Sequence, residues 1–287
     1  MQDYSEEPIR FGAAGYVGPA TMSSDRIKQA FAEIEREKRT GLILFLTVGF
    51  PDLAATLELV PALVAAGADA IELGIPFSDP IGEGPVIQES SFIALNQGTT
   101  LQDCLDVAAQ LRSQVPHTPL ILMGYYNPIL RMGVKVFASQ AEKAGVDGLI
   151  VVDLPHEEIG PLHAECDPRS IPIIPLLAPT SSDASIQAST AAASGFVYCI
   201  SLTGVTGVRD QVSEAGLELL ERVRAHTSLP LAVGFGVSRR DHVEAVCRQA
   251  QAAVVGSALI RVMLESPREQ LVDRASRFVA ELSGRRI

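Results

Sequence analysis

The amino-acid sequence predicts an α/β fold: a (β/α)8 barrel of the TIM type, with an additional N-terminal helix and a flexible N-terminal extension. Three observations predict it. Short apolar runs recur eight times along the chain, an amphipathic stretch follows each of them, and the apolar bulk is aliphatic. Of the 287 residues 47% are hydrophobic, yet only 5% are aromatic and none is Trp. That is the composition of parallel strands buried on both faces.

The elements follow in order. Residues 1–22 carry Gly12, Gly15, Gly18 and Pro19 with no periodic pattern, and read as a mobile extension. Residues 23–287 read as one domain. A helix near 25–38, with Ser24 as its cap, precedes the first strand. Strands are expected at 42–48, 70–74, 120–123, 148–152, 173–176, 196–200, 231–233 and 252–255. Helices are expected near 53–65, 101–114, 134–144, 156–165, 184–193, 217–226, 240–248 and 268–282. Eight such units favour closure into a barrel over an open doubly wound sheet. The open sheet usually carries a glycine-rich dinucleotide turn after its first strand, and Leu46-Thr47-Val48-Gly49-Phe50-Pro51 is not one.

Charge and cysteine usage exclude several classes. With 34 acidic and 23 basic residues the chain carries a formal charge of −11, and a chain this acidic, without basic clusters, is not built to grip nucleic acid. A phosphate can still be held locally by backbone N–H groups. Cys104, Cys166, Cys199 and Cys247 are too dispersed for a CxxC pair and read as buried free thiols of a reducing compartment. The N-terminus has neither the basic start nor the apolar run of a signal peptide, and no stretch is long enough for a membrane span. A soluble, cytoplasmic protein is expected.

In such a barrel the chemistry sits where strands end and loops begin. In Ala70-Ile71-Glu72-Leu73-Gly74 the alternation sends Ile71 and Leu73 outward to the helices and Glu72 into the barrel. A carboxylate there needs partners or a raised pKa. A buried Glu in a hydrogen-bond network and a catalytic acid are both compatible with that position. The loop that follows, Pro76 to Pro85, is too long and charged for a minimal turn; it is either a solvated loop or a rim that carries a second carboxylate, Glu83. The loop after Tyr198, through Thr206 and Gly207, has the small and hydroxylated residues of a lid or a phosphate contact. Gly234-Phe235-Gly236-Val237-Ser238 and Gly256-Ser257-Ala258, after the seventh and eighth strands, match a recurring phosphate site of this barrel. A single Gly-x-Gly would be only a turn. The five histidines fall away from strand ends, and no metal-binding spacing, nucleotide P-loop or nucleophile elbow is present. No lysine holds an inward strand position suited to a Schiff base.

Taken together, Glu72-Leu73-Gly74-Ile75-Pro76-Phe77-Ser78-Asp79-Pro80 with Gly84-Pro85-Val86-Ile87-Gln88, Tyr126-Asn127-Pro128-Ile129, Asp153-Leu154-Pro155, Tyr198 with Gly204-Val205-Thr206-Gly207, and the two glycine loops resemble the tryptophan synthase alpha chain family. The resemblance runs in order from about residue 25 to the C-terminus. It implies a lyase of L-tryptophan biosynthesis that cleaves indole-3-glycerol phosphate to indole and glyceraldehyde 3-phosphate. By resemblance Glu72 is the general acid/base, its pKa raised from ~4.3 towards neutrality by burial. Glu83 is the second acid, and Tyr198 stands beside Glu72. Phe45 and Phe235 hold the indole. Gly207, Gly234, Gly236, Gly256 and Ser257 bind the phosphate, and Thr206 closes as a lid. The chain itself needs no cofactor and no metal. The implied partner is a beta chain carrying pyridoxal phosphate, in an alpha2-beta2 heterotetramer, docked on the face formed by Ser78, Asp79, Asn127 and Pro155.

Three departures accompany the resemblance. The family's Ala-Asp-Gly-Pro is Gly82-Glu83-Gly84-Pro85 here, a longer acid whose misplacement by about 1 Å would cost ~100-fold. The family's Gly-Asp-Pro is Gly49-Phe50-Pro51-Asp52, which moves an acid and sets an apolar side chain near the rim. The extension before residue 23 has no counterpart in the family. These leave two alternatives open: a stand-alone lyase, and a catalytically weakened barrel that acts mainly as a regulatory partner.

Overall fold

The computed structural model describes residues 23–200, 214–234, 236–246 and 249–284. The expected extension, the loop with Thr206 and Gly207, Phe235 and Cys247 therefore lie outside the described residues. Eight parallel strands, β1 (Gly41–Thr47), β2 (Ala70–Gly74), β3 (Leu120–Gly124), β4 (Gly148–Val151), β5 (Leu176–Leu177), β6 (Val197–Ile200), β7 (Leu231–Gly234) and β8 (Ala252–Val255), form one sheet in the order β4-β3-β2-β1-β8-β7-β6-β5. The two ends meet through a single bridge, Leu149 with Ile173, so the sheet closes as the (β/α)8 barrel expected. The β1–β4 and β6–β8 strands are buried almost throughout, which is why they read as continuous apolar runs.

The helices among the described residues are α1 (Ser23–Arg36), α2 (Leu53–Ala66), α3 (Pro85–Asn96), α4 (Leu101–Gln114), α5 (Tyr126–Met132), α6 (Val134–Lys143), α7 (Gly160–Cys166), α8 (Asp183–Ala191), α9 (Glu214–Arg224), α10 (Arg240–Val246), α11 (Ser257–Leu264) and α12 (Leu271–Ser283). Helix α12 packs on α2 and completes the outer ring. None is long and apolar enough to cross a membrane. Cys104, Cys166 and Cys199 are buried free thiols.

Helix α1 closes the N-terminal end of the barrel. Ile27, Phe31 and Ile34 are buried, and the Phe31 ring meets that of Phe196 at 5.5 Å. On the same end Asp147, fully buried, accepts from Arg26 Nη1 at 2.8 Å, from Arg112 Nη2 at 2.5 Å and from the Leu120 amide at 2.8 Å. Burial still outweighs the two arginines and holds the Asp147 pKa above the usual carboxylate value. The site lies at the opposite end, so this cluster serves stability.

The structure departs from the expectations in four places. Helices α3, α5 and α11 were not foreseen; each sits between a strand and the next expected element. Helix α7 starts at Gly160 rather than near residue 156. The fifth strand shrinks to Leu176–Leu177, because Pro172 and Pro175 lack the N–H that a ladder needs. Ser24 lies inside α1, which begins at Ser23, and not before it as a cap.

Candidate active site

Three strands bring the candidate site together from the barrel interior. In the ladder, Phe45 of β1 is level with Glu72 of β2, and Glu72 with Ile121 of β3. Across the barrel, Tyr198 of β6 lies between Leu176 and Ala232. Glu72 is 0% exposed, and neither of its carboxylate oxygens has a hydrogen-bond partner among the described residues. Such a group is costly to ionise. Burial, and next the charge of Glu83, push the Glu72 pKa up to about 8. Burial alone pushes that of Glu83 up to about 7. Burial and the two glutamates together hold the Tyr198 phenol well above its ordinary range. The expected acid pair and tyrosine thus feel one another across the barrel mouth.

Glycines make room for the large side chains. A Cβ on Gly74 would come within 2.5 Å of the Phe45 ring, and one on Gly234 within 2.7 Å of the Tyr198 hydroxyl oxygen. Gly256 faces Phe45 and Ile87, with a Cβ there meeting Phe45 at 3.5 Å. Phe45, 6% exposed, therefore lies between the ends of β2 and β8, where it can form an apolar wall for a ring.

Gly234, Gly236 and Gly256 stand at or just after the C-terminal ends of β7 and β8. Gly234 ends β7, Gly236 has the left-handed φ of +65°, and Gly256 is the N-cap of α11, whose first residue is the exposed Ser257. The open N–H groups of that first turn lie at the C-terminal end of β8 and suit an anion. Thr206, Gly207 and Phe235 lie outside the described residues.

The loop between β2 and α3 carries Glu83, which is half-buried. Sequence reasoning missed the residue that holds this loop: Tyr125, at the end of β3 and 4% exposed. Its hydroxyl oxygen accepts from the Gly82 amide at 3.0 Å, and its ring stacks on Phe77 at 4.8 Å. A tyrosine immediately after a strand was the available signal. The displaced acid of the first loop has a structural use: Asp52 caps α2 by accepting from Ala55 N at 2.6 Å and pairs with Arg268 at 3.1 Å. Phe50 turns off the C-terminal end of β1, where its amide donates to Thr47 O at 3.2 Å. It is 2% exposed and packs in the core, where an apolar ring is stable.

Ser78, Asp79, Asn127 and Pro155 are all exposed. They lie on the segments that follow β2, β3 and β4, Asn127 in the first turn of α5, and because the three strands are neighbours they share one arc of the rim. Ile81, 87% exposed, and Leu130, 57% exposed, add apolar surface on the first two of these segments. The Tyr126 amide donates to Asp153 at 2.8 Å and joins the second segment to the third.

Known proteins place this geometry. The family model described as tryptophan synthase alpha chain matches residues 31–284. The tryptophan synthase alpha chain of Roseiflexus castenholzii is 47% identical over 259 residues, 90% of this chain and 99% of that one. A solved Mycobacterium tuberculosis tryptophan synthase superposes with a TM-score of 0.83 at 34% identity, covering 90% of this chain and 97% of that one. The tryptophan synthase subunit alpha of Legionella pneumophila does so with 0.83 at 33% identity, covering 90% and 97%. With a family model matched over nearly the whole barrel and close to half its residues shared with a full-length relative, the chain belongs to the tryptophan synthase alpha chain family.

Proposed function

We propose that Glu72 and Glu83 are the acid/base pair with which this lyase cleaves indole-3-glycerol phosphate to indole and glyceraldehyde 3-phosphate in L-tryptophan biosynthesis. The observation that carries the assignment is a fully buried carboxyl, without a hydrogen-bond partner among the described residues, at the mouth of the barrel. Its pKa of about 8 keeps it protonated near neutrality, as a proton donor must be. Glu72 delivers its proton to indole C3 as the bond to the glycerol carbon breaks. The carboxylate so formed takes the proton of the adjacent hydroxyl, which becomes the aldehyde. Glu83, when ionised, accepts a hydrogen bond from the indole N–H. Tyr198 stays neutral beside them and shapes the pocket with Phe45 and Phe235. Gly207, Gly234, Gly236, Gly256 and Ser257 hold the phosphate through backbone amides and the α11 terminus, and Thr206 acts as the lid. Proton transfer of this kind needs no cofactor or metal in this chain.

The exposed arc of Ser78, Asp79, Asn127 and Pro155, widened by Ile81 and Leu130, supports docking of a beta chain that carries pyridoxal phosphate, in an alpha2-beta2 assembly. Buried free thiols at Cys104, Cys166 and Cys199 suit a cytoplasmic, reducing setting.

The pH dependence tests the acid assignment. Both pKa values are raised, so the sign is fixed: Glu83 gains its charge as pH rises through about 7, and Glu72 loses its proton as pH rises through about 8. The kcat/KM for cleavage should follow a bell with its maximum between those values, since the free enzyme's essential groups set its limbs. A profile flat from about pH 6 to 9 would remove both glutamates from the rate-determining chemistry.

A further inference from the structure

We propose that Gly82 is a positioning residue for the reaction: its missing side chain lets the β2–α3 loop lie directly on Val152 and Tyr125, and this sets where the Glu83 carboxylate stands. The inference rests on the reading of Glu83 as the second acid.

Gly82 is not there for its backbone. It lies outside the left-handed φ region that Gly49, Gly67 and Gly133 occupy, so any residue could adopt its conformation. What it lacks is room. A Cβ would sit 2.8 Å from Val152 Cγ1 and 3.2 Å from the Tyr125 hydroxyl oxygen. At Gly84, two residues on, nothing lies within 4 Å of such an atom, so the crowding belongs to position 82 and not to the loop as a whole.

The neighbours cannot give way easily. Val152 is β-branched and stiff at χ1, and its amide is held by Gly124 O at 2.9 Å. Tyr125 is buried and stacked on Phe77. The loop is the partner that would move, and it would move as a unit. Glu83 N donates to Pro80 O at 3.0 Å, Ile81 N to Asp79 O at 2.8 Å, and Gln88 Nε2 to Glu83 O at 2.9 Å. Any added side chain must open the Val152 contact from 2.8 Å towards the 3.4 Å of ordinary packing, and it stretches the Gly82–Tyr125 hydrogen bond as it does so. The displacement passes to the adjacent Glu83. Loop position and acid length therefore set the place of the carboxylate together.

The test is steady-state indole release by the purified full chain and three variants: Gly82→Ala, Glu83→Asp and the double variant. Each single change should lower kcat about tenfold, with KM altered less than about threefold, because sub-ångström misplacement of a reacting group acts on turnover. Their thermal midpoints should match the parent. Because both changes move the same carboxylate, the loss in kcat of the double variant should differ from the product of the two single losses by about threefold or more, a coupling that a merely structural role for Gly82 would not produce. Gly82→Ala at parental kcat, or a double variant whose loss equals the product of the two single losses, overturns the proposal. Glu83→Gln, run alongside, separates the two readings. If it keeps parental turnover, the role of Glu83 fails and this inference fails with it. If Glu83→Gln is inactive while Gly82→Ala is unaffected, the inference alone fails.

Discussion

Glu72→Gln should abolish indole release, by about 1,000-fold or more, while binding of phosphate-bearing ligands survives and the protein becomes more stable at pH 8. General acid/base catalysis contributes roughly 10²–10⁴-fold, and one residue that both gives and receives the proton should sit high in that range. The amide has the size of the carboxyl but no proton to give. Binding should persist because the proposed anion contacts come from Gly234, Gly236 and α11, at the ends of β7 and β8, which β1 separates from β2. The stability effect follows from linkage. The folded pKa is raised to about 8 from an unfolded value of ~4.3. The wild-type protein therefore has its full stability below that unfolded value and loses the contribution as pH rises through about 8. Glutamine carries no such penalty. The difference in thermal midpoint should grow with pH across this window and vanish in acid. A variant with most of its turnover, or one less stable than the parent at pH 8, would contradict the account of Glu72 as a buried proton carrier.

Asp147→Ala should cost the fold about 3–5 kcal/mol and leave the chemistry of the folded fraction unchanged. The carboxylate is completely buried and holds Arg26, Arg112 and the Leu120 amide at once. Removing it takes the neutralising charge from two largely buried guanidinium groups and orphans a strand amide, whereas replacing a whole ion pair is often nearly neutral. Both carboxylate oxygens accept, Oδ1 from Arg26 and Oδ2 from Arg112 and the Leu120 amide, so an amide in this place would keep one acceptor and turn an NH2 donor towards another donor. Asp147→Asn should accordingly also lose about 2 kcal/mol or more, because it removes the charge and one acceptor. Denaturant midpoints at constant m-value measure both. An Asp147→Asn variant as stable as the parent would refute this account of the cluster.

Much of the barrel was legible because parallel strands buried on both faces announce themselves as short aliphatic runs, and alternate residues divide helix-facing from lumen-facing positions. That rule alone placed Glu72 inside. It failed where the physical signal is different. Helix α3 buries Ser90, Ser91 and Ala94, small or polar residues that make no apolar stripe, although Gly84-Pro85 is a helix-start pattern. Helices α5 and α11, at 7 and 8 residues, are too short to display a period. The fifth strand is shorter than its apolar run because prolines interrupt the ladder. The burial of Phe50 depends on tertiary packing. The same holds for Gly82 and Tyr125, which meet only because β2, β3 and β4 are neighbours, and for Asp147, whose arginines lie 35 and 121 residues away.

A working lyase of this family needs its longer second acid, Glu83, correctly placed. The most direct measurement is indole release from indole-3-glycerol phosphate by the purified protein, alone and with a beta chain. The account predicts cleavage by the protein itself and a higher rate with the partner docked on the Ser78–Asp79 rim. Folded protein that binds the substrate yet releases no indole in either condition would contradict it, and would mark a barrel that kept its pocket and lost its chemistry.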